Sequence, residues 1–130
     1  MQLDKAQSLM FTWKNEEQRD YAVKLVKAGY ELVQRGICQF ATDDIPEQDQ
    51  PDDNHIAGLA VKHLINSGLI VPLKVHSLEH GSQQVMRKSK REKRNGAKIP
   101  LYYIANMGSA GAFLDRYKAN YEKGQMELAV

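Results

Sequence analysis

Residues 56–70 read IAGLAVKHLINSGLI, and the change of pattern within that stretch decides how the rest of the chain is read. Ile56, Leu59, Ala60, Leu64 and Ile65 recur at three- and four-residue spacing, the period of a helix with one buried stripe. Asp53 or Asn54 supplies an N-cap, and Ser67-Gly68 closes the helix, since glycine accepts the left-handed backbone on which helices end. That stripe leaves His55, Gly58, Lys62 and Asn66 together on a polar, uncrowded face of helix 55–67. Such a face suits approach to a major groove, and its side chains can hydrogen-bond base edges. It would equally serve as the solvated side of an ordinary core helix.

After Gly68 the run LIVPLKV at 69–75 is β-prone, and KIPLYYIA at 98–105 is its match. Each carries a proline, which suits edge positions in a small sheet. Between them lies a 22-residue excursion, 76–97, ending in the turn dipeptide Asn95-Gly96. Residues 86–98, MRKSKREKRNGAK, hold seven basic residues against one acidic, in a chain of net charge only +2. Residues 1–83 carry eight Lys/Arg against twelve Asp/Glu, and residues 99–130 carry three against three. The block, and not the overall charge, is what would attract a polyanion. Tethered at both ends to strands, it is predicted to be the tip of one extended hairpin, kept mobile by its charge density in the free protein.

Upstream, residues 16–36 read EEQRDYAVKLVKAGYELVQRG. Tyr21, Leu25, Ala28 and Leu32, with Val26 and Val33, predict an amphipathic helix over 16–35, with acidic residues at its start and Gly36 as its stop. The preceding LMFTW packs on the domain as a short helix or as an extended arm. In ICQFATDDIPEQDQPDDNH, Phe40 is followed by Thr42, Asp43 and Asp44, a capping cluster that can start only a short helix before Pro46 and Pro51 interrupt it. The six acidic residues between 43 and 53 would repel nucleic acid, so this loop should face away from it. Cys38, the single cysteine, is expected to be a small buried hydrophobe. Near the C-terminus Ser109 can cap a last helix over 109–123, whose Phe113, Leu114, Tyr117 and Tyr121 either close the core or form a dimer seam.

A chain of 130 residues with 42% hydrophobic and 26% charged residues is expected to form one domain: an N-terminal arm at 1–15, a core over 16–104, and a final helix and tail over 105–130. No apolar run approaches the roughly 18 residues of a membrane span, and the first residues lack the pattern of a secretory signal, so a cytoplasmic protein without membrane association is expected. His55 and His63 are eight apart on one helix, and His76 and His80, four apart, fall in a loop, so no metal site is expected. Ser77, Ser82 and Ser89 have no general base, and Gly108-Ser109-Ala110-Gly111 lacks the lysine of a phosphate loop. No catalytic site or cofactor is expected, and the acidic loop, broken by two prolines, reads as solvated and not as a nuclease centre.

The order helix, short strand, short helix, helix, strand, long wing, strand, helix resembles the winged helix-turn-helix superfamily. The resemblance rests on FATDDI at 40–45, on residues 56–70 and on the wing, 71–104. More narrowly it is similar to small phage-encoded winged-helix proteins, over about residues 37–104, and departs from them in the long basic insertion. It implies an α+β fold with an extended basic β-wing and a C-terminal helix, and double-stranded DNA binding in regulatory or mobile-element biology. Wing residues Arg87, Lys88, Lys90, Arg91, Lys93, Arg94 and Lys98 would then contact phosphates or the minor groove, with His55, Lys62 and Asn66 in the major groove. Winged-helix regulators often pair, so a homodimer through the C-terminal helix is a further expectation. The alternative is an adaptor or inhibitor that presents the acidic loop and the terminal helix to replication or transcription machinery without binding DNA.

Overall fold

The computed structural model describes residues 16–51, 54–91 and 96–128, with side chains to residue 118 except that of residue 54. The fold is α+β: three helices and short antiparallel strand pairs.

Helix α1, Glu16–Gln34, begins on Glu16 and Glu17, where the helix dipole favours anions. It buries Tyr21, Ala22, Val23, Leu25, Val26 and Gly29. It stops at Gly36, whose φ of 87° lets the Ile37 N–H reach back to the Leu32 carbonyl at 2.8 Å. The chain then runs extended to Phe40, which exchanges backbone hydrogen bonds with Tyr102, 3.0 Å and 2.8 Å. Phe40 is fully buried, and its ring packs so closely on α1 that a Cβ at Gly29 would lie 2.8 Å from it. Cys38, expected inside, is exposed: only Phe40 of this segment turns inward, and Ile37 is half exposed with it.

Two single-turn 3₁₀ helices follow, Thr42–Asp44 and Glu47–Asp49, separated by Pro46. Helix α2, Asn54–Ser67, buries Ala60 and Leu64 and packs Ala57, Val61 and Ile65 against the same core. Its end repeats that of α1: Gly68 has φ 80° and the Leu69 N–H reaches the Leu64 carbonyl at 3.1 Å. The chain emerges as β1, Ile70–Pro72, paired antiparallel with β6, Tyr102–Ile104, as the two apolar runs predict.

The excursion between those strands is not one long hairpin. It forms two, β2–β3 (Lys74–Ser77 with Gly81–Gln84) and β4–β5 (Met86–Lys88 with Lys98–Pro100). Both meet the β1–β6 pair at a ring of three hydrogen bonds: Leu73 N–H to Leu101 O (2.9 Å), Leu101 N–H to Val85 O (3.0 Å), Val85 N–H to Leu73 O (2.8 Å). Pro72 and Pro100 each precede a ring residue, and having no N–H to donate they end one ladder just where the chain changes partner. Leu73, Val85 and Leu101 gather there with Ala41 and Ile99 in a small second core.

Helix α3, Met107–Leu128, starts two residues before the predicted cap and runs past the predicted end. Asn106 takes the capping role: its Oδ1 accepts the Ser109 N–H at 3.0 Å. Phe113 is fully buried and Leu114 and Tyr117 pack on the main core, while the Tyr117 hydroxyl donates to Asp20 at 3.0 Å. These three therefore close the core of one chain; the side chain of Tyr121 lies outside the described residues. Among the described residues no helix is long and apolar enough to cross a membrane.

Candidate nucleic-acid interface

The β4–β5 hairpin presents two unlike faces, because side chains alternate along a strand. Arg87 and its partner Ile99 point inward, Ile99 into the second core. Lys88 and its partner Lys98 stand on the outward face, both exposed, with Met86 beside them. Like charges directly opposite in an antiparallel pair repel. Among the described residues neither lysine has a carboxylate partner, so the outward face carries uncompensated positive charge.

The inward face meets the acidic segment. Arg87 donates through Nη2 to Asp43, and Asp44 Oδ1 lies 3.2 Å from the same nitrogen. Asp43 also accepts the Lys90 N–H at 2.7 Å, and the Lys90 ammonium lies 3.4 Å from Asp44. Arg91 grips Glu47 with both Nε and Nη2, at 2.6 Å and 2.9 Å. The acidic residues therefore do not face away from the basic block; opposite charge folds Asp43, Asp44 and Glu47 against it. Among the described residues three of its cations, Arg87, Lys90 and Arg91, are paired within the chain. Lys93 and Arg94, and the expected mobility of the tip, lie outside the described residues. Gly96, at φ 73°, has a left-handed backbone; Asn95, its partner in the predicted turn, lies outside the described residues.

Burial alone would push the Asp43 carboxyl up, but the Lys90 N–H and the Arg87 guanidinium together hold it below its ordinary value. On Arg87 burial acts against the charge, and its hydrogen bonds to Asp43 and Asp44 prevail and raise it. The bond to Glu47 raises Arg91 in the same way. Ser89, considered above as a nucleophile, shapes this corner: its N–H extends the ladder to the Ala97 carbonyl at 2.8 Å and its Oγ accepts the Arg91 N–H at 3.2 Å.

On α2 the expected polar face is present: His55, Gly58, Lys62 and Asn66 are all exposed, and His63 joins them at the edge. A cleft of about 330 Å³ links this helix to the hairpin, with Gly58 and Val61 on one wall, Pro100 and Ile99 on the other, and Arg91 at its side. Of the exposed helix face Gly58 lines this cleft, and from the hairpin the inward Ile99 with Pro100 does; His55, Lys62, Asn66, Lys88 and Lys98 are not among its lining residues. What local sequence reasoning missed is the acidic half of the site. Its only signal was that two clusters of opposite sign occur in one small chain. Comparison with protein-family models, with curated proteins and with solved structures gives no match.

Proposed function

We propose that this protein is a winged-helix domain that binds double-stranded DNA, of the kind that phages and other mobile elements use in regulation. Helix α2 enters the major groove with His55, Lys62 and Asn66, and the outward face of β4–β5 rests on phosphates or in the minor groove. The observation that carries this reading is the Lys88–Lys98 pair: two like charges held directly opposite on an exposed face. An arrangement that costs stability in the free protein is relieved by a polyanion.

The pairing of Arg87, Lys90 and Arg91 within the chain lowers the number of cations offered to phosphate. Lys62, Lys88 and Lys98, with or without Lys93 and Arg94, give three to five, so log affinity should fall against log salt with a slope of roughly −3 to −4.5, at about −0.9 per phosphate. Titrating a labelled duplex of about 20 base pairs over a salt series reads that slope; no duplex binding at low salt would remove the proposal.

A second reading, a protein-interaction adaptor, is favoured by a different hairpin. Its first supports are weakened, since Asp43, Asp44 and Glu47 are engaged with the basic hairpin and Phe113, Leu114 and Tyr117 with the core. The β2–β3 hairpin, however, holds Leu78 fully exposed at its tip and Val75 exposed on its stem. An adaptor would keep its partner without DNA and lose it when these two are made polar.

A further inference from the structure

Two of the acidic residues on the hairpin differ in kind. The Asp43 side chain is only 1% exposed and is held by a backbone N–H as well as by Arg87, so nothing from solvent can take its place without unfolding that corner. Glu47 is half exposed, and holds Arg91 by a two-pronged fork. That fork is the geometry with which arginine grips a phosphate. Arg91 also lines the cleft between α2 and β5, which Gly58 of the exposed helix face lines too. Because Glu47 is half exposed, water can solvate its carboxylate when it leaves, and a phosphate offers the guanidinium the same fork in exchange.

We infer that Glu47 is an internal phosphate mimic, occupying Arg91 in the free protein and giving way to a backbone phosphate when a duplex settles against α2. The inference rests on the duplex-binding reading above and adds regulation to the same surface. Lys88 and Lys98, without a carboxylate partner among the described residues, make the first long-range contact. Arg91 is released only when a phosphate reaches the cleft, so weak encounters elsewhere on the polyanion gain one contact fewer. Asp43, by contrast, keeps the hairpin in place throughout.

The test compares wild type, Glu47→Gln, Arg91→Gln and the double variant on a labelled random-sequence duplex of about 20 base pairs across a salt series. Glu47→Gln should bind about fivefold tighter at ~100 mM salt with nearly the wild-type slope, because Arg91 meets the same phosphate in both bound proteins, whereas Arg91→Gln should make the slope shallower by about 0.9, the value of one lost phosphate. Arg91→Gln should bind more weakly, and Glu47→Gln should change nothing in that background. Wild-type binding with no gain from Glu47→Gln overturns the inference and leaves the duplex reading standing; so does a gain that survives in Arg91→Gln. If none of the four proteins binds duplex at low salt, the reading itself fails and the inference with it. The Arg91 Nε–H resonance of the unaltered protein gives a second readout that needs no variant. It should shift when duplex is added, and a signal that stays fixed while duplex binds overturns the inference.

Discussion

Every residue from Lys74 to Gln84 in the β2–β3 hairpin is exposed, whereas the β4–β5 hairpin buries Ile99 and ties Arg87, Lys90 and Arg91 to carboxylates. Both leave the same ring of hydrogen bonds. An isolated two-stranded hairpin is marginal in water, so each needs something to hold it. The first relies on its own tight turn, where the Ser77 hydroxyl accepts the Glu79 and His80 N–H groups at 3.2 Å and 3.3 Å and Gly81 takes φ 69°. The second carries cations that repel one another, and an acidic strap offsets that repulsion on one face while leaving the other charged. The comparison teaches that the basic block is not uniformly available: one side anchors the hairpin and the other is free to meet a partner.

The largest effect should come from cutting the anchor. Asp43→Ala takes from Arg87 the more deeply buried of its two carboxylate partners and leaves the Lys90 N–H without its acceptor, and should cost about 2 to 3 kcal/mol of stability in denaturant unfolding. The same carboxylate sets an acid limit. Because its folded pKa lies below the ordinary value, its contribution is complete at neutral pH and is lost as pH falls through that folded value, below about 4. Asp43→Ala should therefore flatten the decline of stability below about pH 4, and an unchanged acid profile would deny Asp43 the role of anchor. At the small end, Val75→Ser with Leu78→Ser on the unstrapped hairpin should alter stability by less than about 0.5 kcal/mol, since neither side chain is buried. A larger loss would mean that the two hairpins are held more alike than their contacts indicate.

The elements governed by local pattern were legible in the sequence. The apolar spacing of α1 and the glycine after it located that helix to within a residue, and the exposed face of α2 contains the four residues its periodicity selects. The pairing of Ile70–Pro72 with Tyr102–Ile104 follows from two matched apolar runs. The division of the excursion into two hairpins was hidden, because the first turn, Leu78-Glu79-His80-Gly81, lacks the Asn-Gly signal of the second. Hidden too was the contact of Glu47 with Arg91, 44 residues apart, since attraction between distant charges leaves no periodicity in the chain. Cys38 shows the opposite error: an apolar neighbourhood in sequence does not bury a residue in a short extended segment that turns only Phe40 inward.

The most direct measurement sets the outward face of one hairpin against the tip of the other in binding to a labelled duplex at ~100 mM salt. Lys88→Ser with Lys98→Ser should weaken binding roughly fiftyfold and make the salt slope shallower by about 1.8, the loss of two phosphate contacts, while Val75→Ser with Leu78→Ser leaves both unchanged. Equal affinity for the lysine variant and wild type, or an equal loss from the apolar variant, would contradict the account.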